Sequence, residues 1–375
     1  MKSIMKKIVL NIFLLAITAP LFSGGNTSVD VLKNDVSPKA VSMGGSYAAI
    51  CDDVYSIYYN PAGLGQLPSP EISFNYSGGF EDAKTNYLAF GTPLPVKGFA
   101  GLDKGVLAVS FHTTSLGDFN YRYINYDGTI YSKTVDAEKN TIITLAYAEK
   151  VSEGDVKFES YKAYVEQYLG LGFKYVKSTL LEDDDPPTTF AVDAGYKAVE
   201  PKLGLSFGLS LLNTMGAIKY VEEKYSLPTI LRAGLSWKKP TVMEQQVTLS
   251  AEYDKFINDD DASLKFGVEY HLQQVLNFRL GYKMMEENSG FSFGLGLFSG
   301  DFSLDFASSM LAVYNSSSIS LSYRFDNFFT EGTKTRKIYK EEKKKKRPER
   351  EQERSKEPSR EKKSKPASED FFWIY

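Results

Sequence analysis

The chain has 375 residues, with 44 Lys+Arg against 47 Asp+Glu, and aromatic residues make up 14% of it. That length admits two ordinary soluble domains or one large β-structure, and 25 Tyr with 25 Phe exclude general disorder. One Cys and two His exclude a disulfide framework and leave too few ligands for a multi-ligand zinc site, so no metal or other cofactor is expected.

The balanced total hides a split: residues 26–330 carry a net −12 and residues 331–375 a net +6. An acidic body and a basic tail are two physical objects. Lys2, Lys6 and Lys7 precede an apolar run from Ile8 to Phe22, and Ser23, Gly24 and Gly25 follow. This layout predicts a signal peptide over 1–25. A retained anchor is the alternative, but the run is short for a span and Pro20 sits near its end. No later run reaches 18 continuous apolar residues, so no transmembrane helix is expected.

Residues 26–70 do not alternate between apolar and polar. Ala40 to Asp53 is small and apolar and predicts a short helix. Asn60-Pro61 is a turn or helix-start signal, because Asn caps and Pro tolerates the first helical position. Cys51 is expected to be a small buried side chain.

Beyond residue 70 the pattern has period 2. Leu203, Leu205, Phe207, Leu209 and Leu211 face one way, and Gly204, Ser206, Gly208 and Ser210 the other. Leu264, Phe266, Val268 and Tyr270 oppose Lys265, Gly267, Glu269 and His271 in the same manner. One face is large and apolar, the other small, polar or charged. A soluble sandwich also alternates, but apolar rows ending in Tyr, Trp or Phe over 9–12 residues suit a tilted strand crossing a bilayer.

Fourteen such segments start near Glu71, Thr85, Gly105, Thr141, Tyr168, Thr189, Leu203, Thr229, Gln245, Ala262, Val275, Gly290, Asp301 and Ser317. They predict a fourteen-stranded antiparallel transmembrane β-barrel over 71–326. Its backbone groups must all pair in hydrocarbon, which requires closure. The connections at 112–140 and 213–228 are expected to be long outer loops, and at 112–140 the adjacent strands could continue above the membrane. The stretch 152–167 breaks the rule of short inner turns and predicts either a short helix or one more hairpin. A fourteen-strand bore is too wide for side chains alone to fill, so residues 26–70 are expected inside it as a plug.

Gly204–Gly208 and Gly290–Gly294 match G-x-S-x-G, but both lie inside unbroken alternation, whereas a hydrolase elbow needs strand, sharp turn and helix. His112 is expected at an external loop, far from His271, so no ligand set forms. Glu182 to Asp185 and Asp259 to Asp261 read as solvated acidic turns rather than calcium loops. Phe119, Tyr121, Tyr123, Tyr126 and Tyr131 crowd 112–140 and are the candidates for a hydrophobic ligand-access groove; a girdle or a self-packing loop is the alternative.

Residues 327–375 are charged and broken by Pro348, Pro358 and Pro366, which predicts a disordered tail. A periplasmic partner or anionic wall polymer suits its Lys343–Arg347 run better than nucleic acid does.

The run of Met43, Gly44 and Gly45, then Asp52 and Asp53, then Asn60, Pro61, Ala62, Gly63 and Leu64 resembles the N-terminal signature of FadL-type outer-membrane proteins, above all the PorV/PorQ-like branch. The resemblance is strong over residues 40–64 and architectural elsewhere. It implies a monomeric barrel in outer-membrane lipid, those ten residues in a lumenal hatch over 26–70, and the tail in the periplasm. It implies a non-enzyme: an uptake channel for long-chain fatty acids or other hydrophobic small molecules. The alternative is a PorV-like scaffold for protein secretion or surface attachment.

Overall fold

A computed structural model describes residues 27–79, 83–158, 161–181, 185–220, 222–240, 245–259, 261–273, 275–286 and 288–325. The signal peptide and the charged tail of the sequence reading lie outside them. Strands β1 (Glu71–Gly78), β2 (Lys84–Lys97), β3 (Lys104–Ile124), β4 (Ile130–Phe158), β5 (Tyr161–Leu180), β6 (Thr188–Glu200) and β7 (Leu205–Thr214) form the first half of the wall. A small separate hairpin follows, β8 (Ala217–Tyr220) and β9 (Glu223–Ser226). The second half is β10 (Ile230–Pro240), β11 (Gln246–Phe256), β12 (Ala262–Leu272), β13 (Leu276–Met285), β14 (Gly290–Ser299), β15 (Phe302–Leu311) and β16 (Asn315–Arg324).

The fourteen wall strands run up and down in chain order, and β1 pairs antiparallel with β16 from Glu71↔Arg324 to Gly78↔Ser317. The sheet is therefore a closed barrel with no free edge. Among the described residues no helix is long and apolar enough to cross a membrane.

The alternating rows face as the sequence indicates. Phe74 is 47% exposed, Leu171 62% and Leu280 58%, while Ser73, Asn75, Arg279 and Gly281 beside them are buried. Large side chains lie half open on strand after strand around the outside. A soluble monomer does not carry apolar surface on that scale, and hydrocarbon is the solvent that fits it.

Three expectations are corrected. First, 112–140 is mostly strand. β3 and β4 continue their ladder beyond the wall, with Phe119 opposite Val135 and Tyr123 opposite Tyr131, and only 125–129 turn. The extension lacks a lipid face, so its polar residues occupy both sides and the alternation fades. Second, 152–167 is neither a helix nor an extra hairpin. β4 and β5 pair through it, with Glu153 opposite Glu166, after a register shift between Lys150 and Ser152. An inserted residue of that kind exchanges the two faces and breaks the period. Third, 213–228 contains the β8–β9 hairpin rather than plain loop.

The glycines of the wall have a specific use. A Cβ at Gly267 would sit 2.8 Å from Met43, and one at Gly281 would strike the Gly44 nitrogen. Gly170, Gly195, Gly208 and Gly294 abut Pro61, Asn60, Ala48 and Ser42 in the same way. These positions let the backbone of the N-terminal segment touch the wall. Gly281→Ala should therefore lower stability by about 1–3 kcal/mol through overpacking. Gly78→Ala should be near neutral, because no atom of the described residues lies within 4 Å of its added carbon. Urea unfolding in detergent, followed by heat-modifiable gel mobility, reads both.

Candidate functional site in the barrel lumen

Residues 27–70 meet inward-facing side chains on many strands. Two short helices, Pro38–Ser42 and Ser56–Tyr59, and two 3-10 segments, Asp30–Lys33 and Pro61–Gln66, make up the segment's regular structure. Pro38 stands in the first helical turn, where a missing N–H costs nothing. The Asn60 side chain accepts from the Ala62 N–H (3.2 Å) and caps the 61–66 stretch. Its amide donates to Ala48 O (3.0 Å) and to Tyr196 O on β6 (3.1 Å). One side chain thus ties two parts of the segment to the wall. The Tyr59 hydroxyl accepts from the N–H groups of Val36 (2.9 Å) and Ser37 (3.2 Å), and the Tyr58 hydroxyl donates to Asn34 O (2.7 Å).

The wall answers with charge. Glu252 Oε2 accepts from the backbone N–H of Tyr47 (2.9 Å) and of Ala48 (2.6 Å). Lys265 Nζ lies 2.5 Å from Asp254 and 3.6 Å from Glu252, and it donates to Gly45 O at 3.3 Å. Arg232 is 3.4 Å from Asp254, with its guanidinium 5.1 Å from the Tyr59 ring centre. Arg279 bridges Glu269 (2.6 Å) and Asp305 (2.5 Å), and Lys174 pairs with Asp193 (2.8 Å). Lys197 donates to Cys51 O. Charges this buried need a partner or a hydrogen bond, and Glu252, Lys265 and Lys197 find theirs partly on the segment's backbone, which fixes its position.

Within the segment, Lys39 reaches Asp52 (3.3 Å) and Asp53 (3.8 Å), and Asp53 accepts from the Tyr47 hydroxyl. Burial works against the Asp52 charge, but Lys39, Lys238 and Lys197 outweigh it and hold the carboxyl below the usual range. Burial pushes the Cys51 thiol up to about 11, with Lys197 offsetting part of the effect.

A cavity of about 200 Å³ remains between residues 31–44 and the wall, at the end where β1 turns into β2. Its apolar lining comes from Val31, Val36, Val41, Leu116 and Leu311. Its polar lining includes Asp35, His112, Lys283, Ser292 and Ser318. Next to it, Val29, Val31 and Leu32 pack with Ile142, Val176, Ala191, Ile218 and Leu227, so the β8–β9 hairpin and its flank cover the start of the segment. Ser28 N–H bonds Ser226 O at 3.0 Å, and Lys33 reaches Asp259 at 2.8 Å.

The signature residues fall as follows. Met43 and Leu64 are fully buried. Gly44 and Gly45 have φ of +69° and +83°, and the Gly44 N–H donates to Ser292 Oγ at 3.1 Å. A Cβ on Gly63 would collide with Cys51 at 2.6 Å. Pro61 and Ala62 lie against Gly170 and Gly195. The aromatic candidates sit on the β3–β4 extension: Tyr123 stacks on Tyr131 at 5.5 Å, and Tyr126 is fully exposed in the turn. Phe119 and Tyr121 lie on β3, and their side chains are outside the described set. The cavity takes His112 and Leu116 from β3, lower on the same strand.

His112 corrects a further expectation. It is no loop residue but an inward position of β3, 2% exposed, against Tyr58 and Tyr87. Carrying the alternation of Val106, Ala108 and Ser110 two residues onward finds it. Asp35 has no such signal, because its segment has no period. Ser206 and Ser292 of the G-x-S-x-G matches lie within continuous β7 and β14.

Two outcomes follow. Glu252→Ala should strip the Tyr47 and Ala48 amides of their acceptor and unbalance Lys265, weakening local protection by about 3–5 kcal/mol. Hydrogen exchange at those two amides measures it. Cys51 should resist iodoacetamide at pH 8 in folded protein and react readily once unfolded. Mass spectrometry of the two samples compares them.

No protein-family model matches this chain, and no curated protein matches it. Among solved structures, the Ralstonia pickettii toluene transporter TbuX is similar at 12% identity and TM-score 0.48, covering 77% of this chain and 98% of its own. The Pseudomonas putida toluene transporter TodX is similar at 10% identity and TM-score 0.45, covering 82% and 99%. A Pseudomonas aeruginosa FadL homologue is similar at 10% identity and TM-score 0.44, covering 77% and 98%.

Proposed function

We propose that the chain is an outer-membrane channel for uptake of hydrophobic small molecules, long-chain fatty acids or other apolar compounds. Passage is by diffusion, gated by movement of residues 26–70 as a hatch. The observation that carries this reading is the cavity left between residues 31–44 and an otherwise occupied wall. A bore filled by chain cannot act as an open polar pore, and a part-apolar cavity at one end offers a first binding place. No covalent chemistry is required. Tyr123, Tyr126 and Tyr131, standing beyond the wall, supply rigid aromatic surface on which apolar molecules collect.

The PorV-like scaffold reading draws on the same extension. Ile124, Tyr126 and Ile130 are 73%, 112% and 70% exposed at its tip, a surface suited to a protein partner. Shortening the extension separates the two: loss of a co-purifying exported protein with uptake intact favours the scaffold.

A disulfide lock tests the gate. A Cβ built on Gly234 lies 3.4 Å from the Ala49 Cβ, close to bridging distance. Ala49→Cys with Gly234→Cys, in a Cys51→Ser background, should block uptake of a fluorescent fatty acid into vesicles when oxidised. Reduction should restore it. Uptake unchanged by oxidation would sink the gating.

A further inference from the structure

We infer that the cavity is a hydrogen-bonding subsite selecting neutral, hydroxyl-bearing amphipaths over pure hydrocarbons. The inference deepens the channel reading and rests on it for its role. Four observations meet at this place. His112 lines the cavity, is 2% exposed, and neither ring nitrogen has a partner among the described residues. Ser318, 5% exposed on β16, lines it with an unpartnered hydroxyl. Asp35 presents an unpartnered Oδ1 from the N-terminal segment. Lys283 of β13 lines the same space.

Buried polar groups are nearly always satisfied, and leaving one bare costs about 1–3 kcal/mol. A hydrocarbon filling this cavity would leave these polar groups of His112, Ser318 and Asp35 without partners. A hydroxyl both donates and accepts, so it can pair with a donor or with an acceptor among these groups. Charge argues for neutrality: an anion drawn to Lys283 also meets Asp35, and a cation meets the reverse. Size admits a small ring, since a closed apolar cavity of about 150 Å³ holds benzene and this one measures about 200 Å³. Val31, Val36 and Leu311 supply the apolar side.

Three probes of similar shape test it on the full chain in detergent, by calorimetric titration: p-cresol, p-xylene and p-toluate. The expected result is p-cresol about tenfold tighter than p-xylene, the worth of one net hydrogen bond, with p-toluate no tighter than p-cresol. His112→Leu and the milder Ser318→Ala should each shrink that ratio, in protein whose heat-modifiable mobility shows an intact barrel. Equal binding of p-cresol and p-xylene overturns the inference, as does a ratio unchanged in both folded variants, or no binding of any probe. Tightest binding of p-toluate overturns the neutrality claim and marks an anion site. Vesicle uptake of p-xylene and p-cresol is measured separately. Uptake with a ratio of one leaves the channel standing and removes the subsite. The full ratio without uptake leaves a binding pocket and removes the channel.

Discussion

Peptide groups facing hydrocarbon have no water to bond, so each must find a partner in the sheet. The closed ladder from β1 round to β16 meets that demand, and the rest of the structure follows from it. Closure fixes a circumference, and the circumference sets a bore that wall side chains cannot fill. The N-terminal segment takes up that space. Its backbone comes close enough to the wall that wall positions have given up their side chains, as at Gly267 and Gly281.

Filling a bore with chain moves polar backbone and charge away from water. The structure answers with paired wall groups beside an apolar core in which Val36, Ile57 and Leu64 pack with Ala89, Val106 and Ala148 of the wall. Glu252 holds two amides of the segment, Lys265 bridges Asp254 and the Gly45 carbonyl, and Arg232 lies over Tyr59. Well-packed apolar residues could provide equal stability. What ionic contacts add is geometry: they specify one seating.

Much of the barrel was legible in the sequence because lipid imposes a strict rule on alternate residues. Leu205, Phe207 and Leu209 cannot trade places with Ser206, Gly208 and Ser210 without putting polar groups into hydrocarbon. Where lipid no longer touches the strand the rule lapses, so the β3–β4 extension read as a long loop into which the strands could continue. Where a bulge at 150–152 shifts the face, the pattern reads as noise. The lumenal contacts were less legible still. Glu252 and Tyr47 meet across 205 positions in the chain, and no local periodicity connects them. Gly44 and Gly45 were recognisable as part of a motif, but their use, a left-handed turn against Tyr282 backbone, needs the opposing wall to be seen.

The seam between first and last strands bears on how such a molecule is made. Pro70 ends the inner segment and its carbonyl accepts from the Phe325 N–H, just past the last strand, while Arg324 grips Glu71 at 2.8 Å. Ser28, at the segment's other extremity, is bonded beneath the small hairpin after β7. Chain enclosed from one mouth to the other is hard to thread into a finished cylinder. Biogenesis is simplest if the staves assemble around their own contents, with the joint between first and last sealed at the end.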